Sequence, residues 1–122
     1  MKRNWEIIRE ILQQLESATT ANSVLNAKDL SNYPEQDVAY NMLLLHEGGY
    51  IKADMLKSNM EDGQILAAMA RQMTNAGHEL LDTIRNDTVW SKIVESFQSK
   101  GIDMTFDLVI SNGRQIMQSL LS

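Results

Sequence analysis

The chain has 122 residues, a formal net charge of −5 at pH 7, 43% hydrophobic residues and no cysteine. Its length and apolar content suit one domain with one core, and the lack of cysteine excludes disulfides, thiolate chemistry and Cys-based zinc sites. Because the net charge is negative, no overall positive field draws the chain to nucleic acid or to an anionic membrane, and we expect a soluble, cytoplasmic protein without a membrane span.

The first predicted element is a helix over residues 4–18. Asn4 suits the N-cap position, and Glu6 complements the positive start of the helix. Residues 17–32 are rich in Ser, Thr and Asn, which disfavour helices, so a short strand at 24–27 or a short helix fits there. One core-facing stripe is predicted for the first helix, formed by Trp5, Ile8, Ile11, Leu12 and Leu15.

A second long helix is predicted to have Pro34 at its first position and to end near Glu47. Proline is tolerated there because the first helical amide needs no partner. Gly48 and Gly49 end this helix, since glycine readily adopts the left-handed conformation. Its core-facing residues are Val38, Ala39, Met42 and Leu45.

The segments Tyr50–Leu56 and Ile65–Met73 form a predicted antiparallel hairpin. Its tip, Lys57–Gln64, contains a Glu-Asp-Gly turn signal. A helix, a glycine pair and then an aromatic-Ile strand are typical of the third helix of a winged-helix domain passing into its wing. We therefore predict an α+β fold, a winged-helix-like domain with a two- or three-stranded antiparallel wing and additional C-terminal helices.

Three further helices are predicted after the hairpin. Thr74 caps the first, and Gly77 in its first turn allows close backbone approach. Asp87 caps the second, Gly101 ends it, and Thr105 begins the third. The inward residues of the first two are Leu80, Leu81, Ile84, Trp90, Ile93, Val94 and Phe97.

The last helix has one apolar side, weakened by Gly113, that needs a covering surface in cis or in a homodimer. Its apolar residues are Phe106, Val109, Ile110, Met117, Leu120 and Leu121. Together the elements predict a single domain over 1–122, with a winged-helix-like core at 4–85 and a C-terminal helical extension at 87–121.

Residues 73–92 contain a dense series of polar and aromatic side chains: Thr74, Gly77, His78, Glu79, Leu81, Asp82, Ile84, Arg85, Asp87, Thr88, Val89, Trp90 and Lys92. This series resembles the signature of the domain-of-unknown-function family 2513, small proteins common in phages and prophages. Met73 and Leu80 replace the family's leucine and phenylalanine, and Asn41 stands where the family usually has histidine. The resemblance implies a winged-helix-like fold of mobile-element origin, with no established activity.

The residues that could support catalysis or bind a metal have simpler structural interpretations. His46 and His78 each precede a glutamate, but neighbouring residues on a helix point about 100° apart and do not form a ligand cluster. Asp82 and Arg85 are three residues apart, so we expect an ion pair that, with Asp87, fixes the turn between two helices. The sequence therefore predicts no enzyme activity, no metal and no cofactor, and a structural role for the signature.

Function is expected to lie in macromolecular binding through the helix Pro34–Glu47. The corresponding helix of a winged-helix protein often enters the major groove, but this one has three acidic residues and neither Lys nor Arg. Because binding phosphate requires cations, we expect a protein partner, from host or phage, or a second copy of the chain; a DNA-binding regulator is the alternative. The predicted contact residues are Gln36, Tyr40, Asn41, Leu43 and Tyr50.

Overall fold

A computed structural model of the chain describes residues 1–18, 20, 23–59 and 64–121. The three strands form one antiparallel sheet in the order β1-β3-β2. This arrangement confirms the α+β class, with a winged-helix-like order of elements followed by C-terminal helices. The elements of the described residues are α1 (Trp5–Glu16), β1 (Leu25–Asn26), a 3-10 helix (Ala27–Asp29), α2 (Glu35–Glu47), β2 (Ile51–Lys57), β3 (Ile65–Met73), α3 (Asn75–Ile84), α4 (Asp87–Lys100) and α5 (Phe106–Leu121).

The chain divides into two compact units, Met1–His78 and Glu79–Ser122. The first unit contains α1, α2 and the sheet, the second contains α4 and α5, and α3 begins in the first and ends in the second. The single domain over 1–122 stays a prediction. Across the described ranges, no helix is both long and apolar enough to cross a membrane.

Helix α1 forms as its residue pattern predicts. Asn4 is the N-cap, and its Oδ1 accepts hydrogen bonds from the amides of Glu6 (3.0 Å) and Ile7 (3.3 Å). The predicted apolar stripe is buried, and Ile7 is buried with it. The buried side of α1 packs on α2 and β3, which places this helix in the core of the first unit.

The stretch before α2 contains both elements that the sequence allowed, a short strand and a short helical turn. Leu25 in β1 lies opposite Ala70 in β3. The 3-10 helix follows at once, and the Asn26 amide donates to Asp29 Oδ2 (2.8 Å) at its start. A single 3-10 turn therefore occupies the place of the second helix of an ordinary winged-helix domain.

Helix α2 begins one residue later than predicted. Pro34 is the N-cap, with φ −59° and ψ 136°, and the helix starts at Glu35. The extended ψ of Pro34 places it just outside the helix, where its missing amide is still harmless. At the other end, Gly49 has φ +83° and the Tyr50 amide donates to the Leu45 carbonyl (2.9 Å), which is the Schellman pairing that satisfies a terminal carbonyl.

The β2–β3 hairpin has the predicted strands, but β3 does not alternate strictly between two faces. The pairing shifts at Lys52/Ala53 and at Leu56/Lys57, which leaves Arg71 and Leu66 as extra residues in β3. Each extra residue acts as a β-bulge and moves the next buried position by one. The buried residues of β3 are Ile65, Ala68, Ala70 and Met73. The predicted turn signal at Glu61, Asp62 and Gly63 lies outside the described residues.

Helix α4 is capped by Asn86, whereas the sequence pattern predicted Asp87. Asn86 has an extended backbone (φ −74°, ψ 124°), and its Oδ1 accepts a hydrogen bond from the Val89 amide (3.1 Å). Asn and Asp cap equally well, so the residue that keeps the extended backbone becomes the cap, and Asp87 takes the first helical position. The helix ends at Gly101, with φ +63°, as predicted.

Helix α5 buries less apolar surface than its sequence suggests. The Leu108 amide donates to Thr105 Oγ1 (3.2 Å) at its predicted start. Within the described part of α5, only Val109 and Gly113 are buried, and Leu120 and Leu121 are 53% and 88% exposed. Its predicted apolar side is therefore open towards the C-terminal end.

Candidate partner-binding surface

The outward surface of α2 lies opposite the side of the helix that packs into the first unit. At about 100° per residue, the buried side is centred on Val38, Met42 and Leu45. The surface on the other side, here called the α2 face, consists of Gln36, Asp37, Tyr40, Leu43, Leu44 and Glu47. Asp37 and Glu47 are exposed and the other four are half-buried.

Asn41 is fully buried and ties α2 to the segment before α1. Its Oδ1 accepts from the Asn4 amide (2.8 Å), and its Nδ2 donates to the Asp37 carbonyl (2.8 Å) and, at 3.5 Å, to the Lys2 carbonyl. The side chain is 0% exposed, so its predicted contact with a partner is corrected. The physical reason is that backbone groups removed from water need hydrogen-bond partners, and the amide of Asn41 supplies both a donor and an acceptor.

Gln36 joins the start of α2 to the start of β3. Its Nε2 donates to the Ile65 carbonyl, and the Ile65 amide donates to Gln36 Oε1 (3.3 Å). Both atoms of the side-chain amide are therefore engaged with the strand. Of the other residues predicted to contact a partner, Tyr40 and Leu43 are half-buried on the α2 face.

Tyr50, the last of the predicted contact residues, is 9% exposed. A Cβ added to Gly48 would lie 2.7 Å from Tyr50 Cε2, so the ring packs directly against that glycine. The Thr74 amide also donates to the Tyr50 carbonyl (3.0 Å). Its predicted contact with a partner is corrected, because the ring and the backbone are both used in packing the turn between α2 and β2.

His46 is exposed at the end of α2, where it bonds to the sheet. Its Nδ1 accepts a hydrogen bond from the Ala53 amide (3.2 Å), at the point where the β2–β3 pairing shifts. Among the described residues, no group of His, Asp and Glu side chains is arranged to hold a metal ion. The chemical role visible for His46 is therefore to fix the end of α2 to β2.

The charges of helix α2 give little attraction for phosphate, whereas the neighbouring hairpin contains both cations and an acidic residue. Helix α2 contains Glu35, Asp37 and Glu47 and neither Lys nor Arg. In the hairpin, Arg71 forms an ion pair with Asp54. Both side chains are more than half exposed (56% and 54%), so the pair adds little stability, but it offsets the charge of Arg71. Lys52 and Lys57 on β2 are exposed.

The signature residues in the first unit organise the start of α3. Thr74 Oγ1 accepts from the Gly77 amide (3.1 Å), which makes Thr74 the predicted cap, and it donates to the Gly49 carbonyl. A Cβ added to Gly77 would overlap the Tyr50 carbonyl oxygen, which confirms the predicted close approach to the wing. His78 is exposed and lies at an open cavity of about 390 Å³.

The signature residues in the second unit form two ion pairs and include a buried tryptophan. Arg85 Nη2 lies 3.2 Å from Asp82 Oδ1, which confirms the predicted pair. Glu79 Oε2 lies 3.7 Å from Arg114 Nη2, and Trp90 is 6% exposed. The pair between Glu79 and Arg114 was not predicted, and the structural role of the signature as a whole stays a prediction.

Three apolar residues outside the predicted contact set also lie at the surface. Leu44 was not among the predicted contact residues, and it is half-buried on the α2 face; its position four residues after Tyr40 was the available signal. Leu56 and Leu66 are 61% and 52% exposed on the hairpin. Leu66 follows the buried Ile65, and Leu56 lies three residues after the buried Ala53, so the alternation of a strand between its two faces places both side chains outside.

Comparison with known proteins gives a family but no activity. The family model described as "Hypothetical protein (DUF2513)" matches residues 2–103, a range that includes the α2 face and the whole signature. An uncharacterized protein of Haemophilus influenzae is 38% identical over 122 residues, which cover 100% of this chain and 97% of the relative. No solved structure matches the chain. The resemblance drawn from the signature is confirmed, and the chain belongs to the family of hypothetical proteins DUF2513.

Proposed function

We propose that this protein acts by binding another protein through the α2 face, without catalysis. The observation that carries the proposal is the charge of α2. In many winged-helix proteins the corresponding helix enters the major groove of DNA. This helix has three acidic residues and neither Lys nor Arg, so it repels the phosphate backbone to which such a helix must dock.

The chemistry of the α2 face supports a protein partner. Tyr40, Leu43 and Leu44 offer an aromatic and aliphatic centre, and Asp37 and Glu47 lie at its two ends. An apolar centre with a charged rim is the usual composition of a protein interface, and tyrosine is frequent among its strongest contacts.

The surroundings of α2 also support binding because they hold this face in place. Asn41 bonds α2 to the segment before α1, Gln36 bonds it to β3, and His46 bonds it to β2. A surface that is already ordered loses less conformational entropy on binding than a mobile one. The partner is thus offered a preformed helix surface.

The alternative function is that of a winged-helix DNA-binding regulator, which the order of helices and strands favours. The charge of α2 and the pairing of Arg71 with Asp54 weigh against it. The proposal of protein binding includes the phage or prophage origin that the family resemblance implies, so the partner is a host or phage protein.

The decisive experiment is affinity purification from cells that carry the gene, with and without nuclease. Tyr40→Ala tests the α2 face, and Gln13→Ala, an exposed position on α1, is the matched control. We expect one protein to be retained by the wild type and the control, and to be reduced at least about tenfold by Tyr40→Ala, whether or not nuclease is present. Circular dichroism verifies that both variants are folded.

DNA binding is measured in parallel by fluorescence anisotropy with duplexes from the gene's own neighbourhood. The proposal predicts no tight complex even at low salt. A nanomolar complex that weakens steeply with salt, and is lost in a variant with Lys52→Ala and Arg71→Ala, refutes it in favour of the regulator.

We further propose self-association through α5. Leu120 and Leu121, at 53% and 88% exposure, support this, because exposed leucines at the end of an amphipathic helix favour a covering surface. Light scattering after size-exclusion chromatography is expected to give a dimer that Leu120→Ser weakens and Gln118→Ser leaves intact. A monomer at high protein concentration contradicts this part of the proposal.

A further inference from the structure

Strand β2 lies at one edge of the sheet, because the strand order is β1-β3-β2. Within the part of the chain that the structure describes, its one strand neighbour is β3. The backbone groups on the other side of β2 therefore have no strand to pair with, and such an edge can accept an added strand. What it can bind depends on which backbone groups face outwards and which side chains flank them.

Two hydrogen bonds show how the backbone of β2 is oriented. The Ala53 amide donates to His46 Nδ1 (3.2 Å) and therefore points away from β3. The Ser58 amide donates to the carbonyl of Gln64, directly before β3 (2.8 Å), and therefore points towards β3. Successive residues of an antiparallel strand alternate in this direction. Both extra residues of the hairpin belong to β3, so the alternation along β2 is unbroken.

Met55 and Lys57 share the orientation of Ala53 and so direct their N–H and carbonyl groups away from β3. Because His46 already occupies the Ala53 amide, the free edge of β2 begins at Met55. Each of the two residues offers one donor and one acceptor, with the two-residue repeat of an extended antiparallel strand. Outward carbonyl oxygens repel phosphate, so these groups fit a peptide backbone and not a nucleic acid.

The side chains that flank the free edge are apolar and basic. Leu56 is 61% exposed, and Lys52 and Lys57 are exposed. Asp54 is paired with Arg71, so its charge is offset and the two lysines dominate the edge. In a chain of net charge −5, this local excess of cations favours an acidic partner segment.

We propose that the free edge of β2 binds an extended acidic segment of a partner protein as an additional antiparallel strand. The backbone of the segment pairs with Met55 and Lys57, an apolar side chain covers Leu56, and an acidic side chain lies beside Lys57. A second copy of β2 is a poorer occupant, because it brings the same lysines. This edge shares no residue with the α2 face, so either surface can fail without the other.

The test is an NMR titration of the full chain, labelled with 15N, with a synthetic peptide of matching chemistry. The probe is Ser-Thr-Glu-Leu-Val-Thr-Glu with both ends blocked, in which Leu lies opposite Leu56 and the first Glu opposite Lys57. We expect saturable shifts centred on Met55, Leu56 and Lys57, with a dissociation constant on the order of 1 mM or below for so short a peptide. Hydrogen exchange of the Met55 and Lys57 amides should slow in the complex.

Methylated peptides separate strand pairing from simple attraction between charges. N-methylation of the first Glu and of Val removes the two peptide amides that face β2 and should weaken binding at least about tenfold. N-methylation of Leu, whose amide faces away, is the matched control and should leave the affinity within about twofold. A peptide with Lys in place of both Glu residues should bind about threefold more weakly or worse.

Two variants of one residue test the same edge from the side of the protein. Lys57→Gln removes the charge and should weaken the probe about threefold. Lys57→Pro removes the charge and the outward N–H, and should weaken it about tenfold more than Lys57→Gln does. That amide lies outside the ladder with β3, where proline is tolerated, and the NMR spectrum verifies that both variants are folded.

The proposal is overturned if the probe gives no saturable shifts, if the shifts lie on the α2 face, or if the two methylated peptides bind equally well. Equal affinities of Lys57→Pro and Lys57→Gln would also refute it. Protection of the Met55 and Lys57 amides that rises with protein concentration in the absence of peptide would assign the edge to a second copy of the chain and overturn the proposal as well.

Discussion

Replacing Gly77 with alanine tests whether the signature positions α3 against the turn between α2 and β2. An added Cβ would overlap the Tyr50 carbonyl oxygen and would lie 3.0 Å from its carbonyl carbon and 3.3 Å from Met73 Cβ. The obstacle is mainly backbone, so no rotation of a side chain relieves it. Gly77 does not have a positive φ, which means that the substitution itself brings no backbone strain.

The size of the effect follows from two opposing terms. Carbon atoms in contact normally lie about 3.5–4.0 Å apart. Because the overlap with the carbonyl oxygen is tighter than the contact with the carbonyl carbon, the start of α3 would have to withdraw by roughly 1 Å or more. That movement would also stretch the hydrogen bond from the Thr74 amide to the Tyr50 carbonyl, now 3.0 Å. Overpacking costs about 1–3 kcal/mol or more, and alanine regains about 1 kcal/mol of helix propensity over glycine. Because the obstacle is backbone, the cost falls at the upper end of that range, about 3 kcal/mol, and we expect a net loss of about 2 kcal/mol in the free energy of unfolding.

Urea unfolding followed by circular dichroism measures this loss as a lower midpoint at unchanged slope. Ala76→Gly, at the exposed neighbouring position, is the control for helix propensity and should lose about 1 kcal/mol. If Gly77→Ala is as stable as the wild type, or more stable, the close approach of Gly77 to Tyr50 is refuted.

Three further predictions concern single side chains. Asn41→Ala should lower the free energy of unfolding by about 1–3 kcal/mol, because the Asn4 amide loses its acceptor; a loss no greater than that of the exposed Gln13→Ala would contradict this. Gly101→Ala should lower the free energy of unfolding by about 1 kcal/mol. Gly101→Asn should lower it less, because asparagine tolerates the left-handed conformation at the end of a helix. Equal urea midpoints for the two variants would contradict the importance of the positive φ at this position. Arg71→Ala should change the stability by less than about 0.5 kcal/mol in thermal unfolding, because its ion pair is exposed, and a large loss would show that the pair supports the bulge.

Much of the fold could be predicted because its signals are local. Helix ends are specified by hydrogen bonds that reach only a few residues. Examples are Asn4 at the start of α1, the glycine pair at the end of α2 and Thr74 at the start of α3. The strands on either side of the hairpin follow from the same boundaries. The starts of α2 and α4 differ from the predicted positions by one residue. Asn86 and Asp87 cap equally well and the backbone conformation decides between them, whereas the extended ψ of Pro34 leaves it just outside α2.

The candidate surface was predicted less completely, because exposure depends on packing between distant elements. Asn41 and Tyr50 have side chains typical of interfaces, yet the segment before α1 covers one and the glycine turn packs against the other. Leu44 was not among the predicted contact residues, yet it lies on the α2 face. Tyr40 and Leu43 lie on the α2 face, and their contact with a partner stays a prediction.

The sequence by itself determined the helices, the hairpin and the family, and it determined that α2 has acidic residues and no Lys or Arg. These properties are fixed by composition or by interactions between residues close in the chain. The tertiary structure alone decided that a single 3-10 turn replaces the second helix, that bulges at Leu66 and Arg71 reset the buried face of β3, and that Asn41 turns inward. Each of these depends on pairing or hydrogen bonds between segments far apart in sequence, for which local patterns carry no signal.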